Sequence, residues 1–441
     1  MIQSYLFRIS EQLTITDYFD IAINEHSFYY NNEYNFPAGV IYMLSHDPKV
    51  IVSHDYPQDL ESILERVQNI AQNILAPNAE VIDQDAIWPE QAIRALQEAG
   101  LGGLTIPSEL GGLGQGSFGV AQVCEILGQE CASTAMCFGM HCVGSAVLSA
   151  KATADQRERY LQPIIEGEHL TTLSLSEAGT GSHFYIPHTR LEAVSSDMFR
   201  VTGNKTFVTN GSYADSYVIS TVAADPNAPL GQFSCIVVRN EATGLHWGPP
   251  WEGLGMRGNS SLALDLNQVL VPRNDLLGEE GDQIWYVFQV VTPYFLMAMS
   301  GTYLGIASAA LEIARNHLIK RHYSESGSSL AQVTVLQHRL GTLWGMLERT
   351  RRLAYHSAAS FDAGDPDALP AVFTTKAEVA ECAVKMVNEV MTLTGGMAYR
   401  EGSKLHQLLR DARAAHVMAP TTDLLRVWTG RTLLGQPILG T

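Results

Sequence analysis

Apolar residues recur at helical spacing along residues 59–75. Their separations of three and four positions are typical of an amphipathic helix, and they comprise Leu60, Ile63, Leu64, Val67, Ile70, Ala71, Ile74 and Leu75. Pro77 is predicted to end this helix, because proline has no N–H group and its ring clashes with the preceding turn. A second helix is predicted from about Pro89 to Ala99, where a glycine-rich stretch stops it. Helical patterning then continues to about Glu168.

The pattern changes at Leu170, where Thr, Val, Tyr and Phe become dense and turn residues separate short runs. The predicted strands cover 198–202, 217–222, 233–238 and 262–266. From Ile284 helical spacing returns, so the chain lacks the β–α alternation of a doubly wound sheet. The predicted fold class is therefore α+β with several domains. They are an irregular extension over 1–56, an N-terminal helical domain over 57–168, a middle β domain over 169–281 and a C-terminal helical bundle over 282–441.

Composition places the chain among globular proteins. It has 441 residues, of which 46% are hydrophobic and 17% charged, a balance that excludes intrinsic disorder. The formal net charge of −18 makes it a poor general binder of nucleic acid or of anionic membranes. Six cysteines without a CxxC spacing are interpreted as buried, reduced thiols. No cationic and apolar leader follows Met1, so a cytoplasmic location is predicted.

Two charge-free apolar runs, over 131–150 and 284–311, are long enough to cross a bilayer. Both are rich in Gly, Ser, Thr and Ala, and neither has a cluster of Lys or Arg at one end. Helices buried inside a large helical domain explain these runs better than membrane spans. No membrane association is therefore predicted.

One glycine motif invites a nucleotide-binding interpretation. Gly114, Gly116 and Gly119 match the spacing GxGxxG. No convincing strand precedes them, and no Asp or Glu lies about 20 residues downstream to hold a ribose. We interpret the segment as a flexible loop. The sequence also has no P-loop lysine and no HExxH pair, so neither a kinase nor a metal site is predicted.

Hydroxyls and glycines alternate over 173–183, with the sequence LSLSEAGTGSH, and can bring backbone N–H and Ser O–H groups close to a flat polar ligand. Further segments follow in order: GNKTFVTN over 203–210, GMRG over 255–258, VPRNDLLGEEG over 271–281, GGMAY over 395–399 and LRDAR over 409–413. In this order and at these separations they resemble the acyl-CoA dehydrogenase family of flavoproteins, over roughly residues 57–435. The family's three-part architecture agrees with the order of helices and strands and implies a β-barrel for the middle domain.

The resemblance implies an FAD held between the β domain and the C-terminal bundle, in a homotetramer or homodimer. Residues at the family's cofactor-contacting positions are Leu175, Ser176, Gly181, Ser182, Phe207, Thr209, Thr421 and Asp423. Phe207 corresponds to an aromatic residue beside the flavin, and Thr209 to a hydroxyl near its N5 edge. Ser182 is also expected to contact the substrate. Hydroxyl and amide donors near N5 and O4 favour the reduced, electron-rich flavin.

The family's usual reaction removes the α proton of an acyl thioester while the β hydrogen leaves as hydride to flavin N5. The α C–H is weakly acidic, so a carboxylate with a pKa raised by a dry pocket normally serves as base. Most members place that Glu shortly after the RDA motif, where this chain has Ala419. Branched- and long-chain members place it on an earlier helix, where this chain has Phe295. Neither side chain can take a proton, so the catalytic residue stays unknown.

Three other positions depart from the family. His183 stands where members have an Asp of the flavin motif. Arg321 is the nearest match to an Arg that in many members reaches a neighbouring subunit's FAD. Leu296 replaces an Arg that helps CoA-acting members hold the substrate, which removes a charge-assisted contact. An acyl group on a carrier protein shares CoA's pantetheine arm without its adenosine, so it would lose less at such a site.

Three functions are compatible with this sequence. The first is FAD-dependent α,β-desaturation of an acyl thioester on CoA or an acyl carrier protein, with an electron-transfer flavoprotein or oxygen as electron acceptor. The second is a two-component flavin-dependent monooxygenase on the same fold, which needs no carboxylate base. The third is a non-catalytic FAD-containing fold used for binding. The match of the flavin-facing segments and of residues 271–281 to dehydrogenases favours the first.

Overall fold

The structure is a computed structural model that describes residues 30–31, 33–34, 59–229 and 231–439. The chain divides into two compact units, residues 1–53 and 54–441. In the first unit, strands β1 (Tyr30–Asn31) and β2 (Glu33–Tyr34) pair antiparallel. The rest of the predicted irregular extension over 1–56 lies outside the described residues.

The second unit begins with a helical part whose amphipathic helices bury their apolar faces. Its helices are α1 (Leu60–Ile70), α2 (Ala76–Gln84), α3 (Glu90–Glu98), α4 (Ser117–Glu130), α5 (Ala132–Ala150), α6 (Ala154–Gln156) and α7 (Gln162–Ile165). In α1 the predicted apolar positions Ile63 and Val67 are fully buried, and Leu75 follows them into the same core. The predicted helical patterning to about residue 168 is confirmed.

The prediction that Pro77 ends the first helix is wrong. Helices α1 and α2 form one continuous run, joined by the π-helical turn Ala71–Leu75, and Pro77 lies in the first turn of α2. The arrangement recurs twice, with a π turn ending two residues before a proline: Arg157–Leu161 before Pro163, and Val287–Val291 before Pro293. The wider π turn moves aside the carbonyl that the proline ring would otherwise strike. The helix therefore tolerates the missing N–H group.

The middle part is an eight-stranded sheet. Its strands are β3 (Thr171–Ser174), β4 (Arg190–Ala193), β5 (Met198–Val208), β6 (Ser216–Ala223), β7 (Phe233–Arg239), β8 (Leu245–Trp247), β9 (Leu262–Pro272) and β10 (Leu276–Leu277). They lie in the order β10-β7-β6-β4-β5-β9-β8, with β3 beside β6. The pairs β3–β6 and β4–β6 are parallel and the others antiparallel. Strand β6 is buried on both faces over most of its length, whereas β9 alternates between buried and exposed residues.

The C-terminal part is a bundle of helices built around one long apolar helix. The helices are α8 (Gln283–Tyr286), α9 (Thr292–Lys320), α10 (Thr334–Asp362), α11 (Ala368–Thr394), α12 (Lys404–Val417) and α13 (Thr422–Leu433). Helix α9 packs against α4, α5, α10 and α11. Glycines allow α4 and α9 to approach closely, because a Cβ atom at Gly301 would lie 2.1 Å from the carbonyl oxygen of Ala121. This α+β organisation confirms the predicted fold class.

The two apolar runs are interior helices, as the sequence predicted. Helix α5 and the run from Gln283 to Lys320 are long and apolar enough to cross a membrane by length and composition alone. Their most apolar windows are 100% and 72% buried inside the protein. They are apolar because they lie in the core, where other helices surround them. The six cysteines are likewise free and buried.

The glycine motif runs into the start of α4, with Gly116 at the N-cap and Gly119 inside the helix, so the prediction of a flexible loop is wrong for this part. The start of the helix meets a carboxylate of the same chain. At the end of α10, the Asp362 side chain accepts hydrogen bonds from the backbone N–H groups of Ser117, at 2.8 Å, and Phe118, at 2.9 Å. A Cβ atom at Gly116 would strike this carboxylate at 2.4 Å. In a dinucleotide-binding fold, a phosphate takes this place at the helix N-terminus. Asp362 fills it here.

Candidate active site

A cavity of about 740 Å³ lies where the end of β3, the end of β5, the start of α9 and the end of α12 converge. The segment 251–261, between β8 and β9, supplies another wall. Four methionines line the cavity, namely Met136, Met140, Met256 and Met418. Their flexible thioethers suit a wall that must fit an apolar ligand of irregular shape.

Most of the residues predicted to contact the cofactor meet at this cavity. They are Leu175, Ser176, Gly181, Ser182, Phe207, Thr209 and Thr421. Asp423 and Arg321 do not line it. The Asp423 side chain is 94% exposed on α13, and Arg321 is exposed just after α9. His183 is exposed immediately after the lining residue Ser182.

Residues 173–183, called the flavin segment below because the resemblance implies that they hold the flavin, have a backbone that leaves open space for a ligand. Gly179 and Gly181 have φ values of +91° and +53°, and a Cβ atom on either would meet nothing within 4 Å. Their conformations favour glycine, and the open space lets a flat ring approach the main chain. The segment is tied to β5 by a hydrogen bond from the Thr206 N–H to the Ser176 carbonyl oxygen, at 2.8 Å.

Two lining residues have a left-handed backbone although they carry side chains. Phe207 has φ +55° and Met256 has φ +49°. The Phe207 side chain is 64% exposed and makes an edge-on contact with Trp251, with ring centroids 5.9 Å apart. Such conformations cost energy and cluster at functional sites. Here they turn an aromatic ring and a thioether toward one cavity.

One carboxylate lines the cavity among the described residues, and it is held in a buried ion pair. Glu177 lies 2.6 Å from the Lys205 ammonium and accepts the backbone N–H of His188 at 2.7 Å. Lys205 also donates to the Ser220 carbonyl oxygen at 2.6 Å. Burial opposes ionisation, but Lys205 and the backbone donors hold the pKa of Glu177 below its ordinary value. A carboxylate bound in this way is a poor proton acceptor.

Ala419 and Phe295, the two positions at which the resemblance implied a base, both line the cavity. The loop around Ala419 is held by Lys376 from α11, whose ammonium donates to the carbonyl oxygens of Ala415, Met418 and Pro420 at 2.7, 3.1 and 3.0 Å. Burial lowers the pKa of Lys376 to about 7. Sequence reasoning missed this lysine. The only signal was a single positive charge among apolar residues of a predicted helix.

The RDA motif anchors the cavity wall that residues 251–261 form. Arg410 forms an ion pair with Asp83 of α2 and donates to the Leu254 carbonyl oxygen at 2.9 Å. Asp411 accepts the backbone N–H of Met256 at 2.6 Å. Burial raises the pKa of Asp411 to about 6. The motif therefore holds the segment 251–261 in place, a role that sequence reasoning had not assigned.

Three polar atoms around the cavity are buried without a hydrogen-bond partner among the described residues. They are the Ser174 Oγ, the Thr292 Oγ1 and the Trp251 Nε1. Buried polar groups are usually paired, because losing water without a replacement is costly.

Comparison with known proteins identifies the family. Domain profiles described as the N-terminal, middle and C-terminal domains of acyl-CoA dehydrogenase match residues 57–168, 172–269 and 285–434. The chain belongs to the acyl-CoA dehydrogenase family. It is 28% identical over 372 residues to a cyclohex-1-ene-1-carbonyl-CoA dehydrogenase of Geobacter metallireducens, covering 84% of this chain and 97% of that protein.

Solved structures share the fold. Butyryl-CoA dehydrogenase from Megasphaera elsdenii superposes with a TM-score of 0.80 at 22% identity, over 87% of this chain and 100% of that one. The FAD complex of PigA gives a TM-score of 0.78 at 18% identity, over 87% of this chain and 99% of the other. The family assignment makes the protein a flavoprotein oxidoreductase of the class that acts on CH–CH groups, with FAD as its cofactor.

The residues around the cavity fit FAD. Ser176, Ser182, Thr209 and Thr421 supply hydroxyl groups, and Gly179 and Gly181 leave the main chain accessible. Hydroxyl and main-chain N–H groups are the donors that a flavin's carbonyl oxygens and ring nitrogens accept. The cavity also opens between the β sheet and the helical bundle, as the resemblance implied for the flavin.

Proposed function

We propose that this protein desaturates the α,β bond of an acyl thioester. The observation that supports the proposal is that one cavity is lined both by the residues proposed to contact the flavin and by Ala419 and Phe295. These are the two positions at which the family resemblance implies a catalytic base. The reaction removes two hydrogens from the substrate, one as a proton and one as a hydride. FAD, once bound, supplies the acceptor for the hydride.

The chain's own residues bind and orient the acyl group and exclude water. Met136, Met140 and Phe295 give the cavity apolar walls. Ser182 and Thr209 place hydroxyls beside the flavin position, and Phe207 bounds it with an aromatic ring. Glu177 stays ionised against Lys205 and positions the flavin segment. No residue is assigned as the base that takes the α proton.

The substrate is proposed to carry a pantetheine arm, from CoA or from an acyl carrier protein. Leu296 is fully buried in α9 and offers no guanidinium to CoA. The carrier protein shares the arm and does not need that contact. The electron acceptor is proposed to be an electron-transfer flavoprotein or oxygen. We further propose a cytoplasmic homodimer or homotetramer in which Arg321 reaches a neighbouring subunit's FAD and Asp423 the nucleotide half of its own.

Anaerobic bleaching of the bound flavin tests the proposal. Purified holoenzyme is mixed with saturated acyl-pantetheine thioesters of several chain lengths, with the corresponding acids as controls. We expect the oxidised flavin absorbance to fall with at least one thioester, and the product to be two hydrogens lighter by mass spectrometry. Unchanged absorbance with every pantetheine, CoA and carrier-linked acyl group would refute desaturation.

A second function is favoured by one observation. The only cavity-lining carboxylate among the described residues, Glu177, is held by Lys205, and a flavin-dependent monooxygenase needs no carboxylate base. Such an enzyme would consume oxygen only when reduced flavin is added or a separate reductase supplies it. Its product would gain one oxygen atom. Tight flavin retention without oxygen uptake would contradict this alternative.

A further inference from the structure

The two fully buried lysines among the described residues differ in what surrounds their charge. Lys205 lies 2.6 Å from the Glu177 carboxylate. Lys376, in α11, has no such ion pair with a described residue, and its ammonium instead donates to three backbone carbonyl oxygens. Burying a charge without an opposite charge costs free energy. These three hydrogen bonds are therefore what keeps the Lys376 charge in the interior.

The three hydrogen bonds require the charged form of the side chain. A protonated lysine has three N–H donors, whereas the neutral amine has two. The acceptors of Lys376 Nζ are the carbonyl oxygens of Ala415, Met418 and Pro420, at 2.7, 3.1 and 3.0 Å. In the neutral amine the nitrogen lone pair would face one of these oxygens and repel it. Loss of the proton therefore releases at least one of the three carbonyls.

The carbonyls held by Lys376 belong to a wall of the cavity. Residues 415–421 comprise the end of α12, the link to α13 and Thr421, the N-cap of α13, and residues 417–421 line the cavity. The last carbonyl oxygens of a helix have no partner inside the helix. Lys376 supplies donors to the end of α12 and to the link that follows it. It thereby connects α11 to the main chain of this wall.

Helix α11 packs against α9, α10, α12 and α13, and none of them gives Lys376 a counter-charge among the described residues. The titratable and charged side chains near its contacts along these helices are Tyr303 of α9, Tyr355 and His356 of α10, Glu378 of α11 itself, Asp411, Arg413 and His416 of α12, and Asp423 of α13. Burial lowers the pKa of Lys376 to about 7. The charge that the three hydrogen bonds need is therefore lost near neutral pH.

We propose that Lys376 is a positioning residue for the cofactor: its charged form holds residues 415–421 in the arrangement that binds FAD, and loss of its proton weakens FAD binding. FAD is the cofactor of the family, and Thr421 stands at a position matched to an FAD contact. The inference goes beyond the proposed function, because binding of FAD is measured without turnover and does not depend on the reaction that follows.

Titration of the flavin-free protein with FAD at several pH values between 6 and 9 tests this role, with flavin fluorescence as the signal. Because FAD binds the protonated form more tightly, we expect the Kd of the wild type to rise about tenfold or more across this range. Lys376→Met should bind FAD about tenfold or more weakly than the wild type at pH 6, and its Kd should show no such rise. The two proteins should converge at pH 9. A wild-type Kd that stays constant would overturn the proposal.

Two comparisons assign the effect to Lys376. Lys385→Met removes a lysine charge from an exposed position of the same helix and should keep the wild-type Kd and its pH dependence. If it weakens FAD binding as much as Lys376→Met does, the charge of the helix rather than the three hydrogen bonds is responsible, and the proposal fails. Lys376→Met retains Asp411 and His416, so a rise in Kd that persists in this variant belongs to other groups and also refutes the proposal.

Far-UV circular dichroism shows whether Lys376→Met is folded. If it is not, Asp411→Asn takes its place in the comparison. Burial raises the pKa of Asp411 to about 6, so this carboxyl group titrates beside the pH range used. The Asn variant keeps Lys376, and its Kd for FAD should still rise between pH 6 and 9. A flat profile in this variant would overturn the proposal.

The outcomes also separate this inference from the proposed function. If the Kd for FAD follows the charge of Lys376 but no acyl thioester bleaches the flavin, the positioning role stands and desaturation fails. If a thioester bleaches the flavin while the Kd is independent of pH and of Lys376, desaturation stands and the positioning role fails.

Discussion

At the scale of single residues, a substitution at Ala419 tests whether the lack of a carboxylate base limits removal of the α proton. The Ala419 side chain lines the cavity, so a longer carboxylate at this position would project into the ligand space. A general base contributes about 10²- to 10⁴-fold to proton abstraction. We expect Ala419→Glu to accelerate anaerobic flavin bleaching by an acyl thioester about 10²-fold.

Ala419→Gln is the matched control for that change, because it has the same length and no basic carboxylate. If the Glu variant is no faster than the Gln variant, α-proton removal does not limit the reaction. That result would favour the monooxygenase function over desaturation.

The buried Asp411 carboxyl group is expected to make the free energy of unfolding depend on pH. Burial raises its pKa to about 6 in the folded protein, above the ordinary value of 3.8, so the folded state binds this proton more tightly. The stabilisation is complete below about pH 4 and is lost as pH rises through 6, an effect of about 3 kcal/mol. Asp411→Asn keeps an acceptor for the Met256 N–H and should remove this pH dependence.

Urea unfolding at several pH values between 4.5 and 7.5 measures this pH dependence of stability. We expect the free energy of unfolding of the wild type to fall relative to that of the Asn variant across this range. Other titrating groups contribute equally to both proteins and cancel in the difference. Parallel pH profiles would contradict the prediction.

At the scale of secondary-structure elements, the Lys205–Glu177 pair joins β5 to the flavin segment. Both side chains are buried, so removing one partner leaves an uncompensated charge. We expect Lys205→Met to lower the free energy of unfolding by about 3–5 kcal/mol and to weaken flavin retention. Chemical denaturation and the flavin-to-protein absorbance ratio measure the two effects.

The double variant Lys205→Met with Glu177→Gln is the control, because it removes both charges. It should recover part of the lost stability. If the single and double variants are equally unstable, the loss comes from packing around the lysine stem rather than from the unpaired carboxylate.

Helix and strand positions were largely predictable from apolar spacing, and the error at Pro77 has a physical explanation. Proline breaks a regular helix because its ring strikes an earlier carbonyl. The π turn Ala71–Leu75 moves that carbonyl and lets the helix continue. Apolar spacing does not distinguish a π turn from an α turn over five residues.

At the scale of the whole molecule, the first turns of α10 present apolar side chains to solvent. Val335 is 60% and Trp344 42% exposed. They are nine positions apart, which places them on opposite sides of the helix. The two side chains do not form one contiguous patch, so each would be covered by a different subunit in a homo-oligomer. We expect a homo-oligomer at micromolar concentration, and we expect the double variant Val335→Asp with Trp344→Asp to shift it toward monomer.

Mass photometry or analytical ultracentrifugation measures this shift. Val194→Asp, which alters a valine that is 37% exposed just after β4, is the matched control and should not change the mass. A wild-type protein that sediments as a monomer would contradict the prediction.

The sequence by itself determined the order of helices and strands, the family, and the segments that meet at the cavity. Apolar periodicity follows from local geometry, and residues such as Ser176, Gly181 and Phe207 lie in motifs that are continuous along the chain. The absence of a carboxylate at Ala419 and Phe295 was also readable there, although its consequence for the reaction was not.

Only the tertiary structure decided which polar groups have a hydrogen-bond or ion-pair partner and which have none. Lys205 holds Glu177, Asp362 fills the N-terminus of α4, and Asp411 holds Met256, each across a long stretch of sequence. These pairs form because packing brings distant elements together, and their residue types alone do not specify a partner. Ser174 and Thr292 are free for the same reason, since what surrounds a hydroxyl depends on the folded neighbours rather than on the chain beside it.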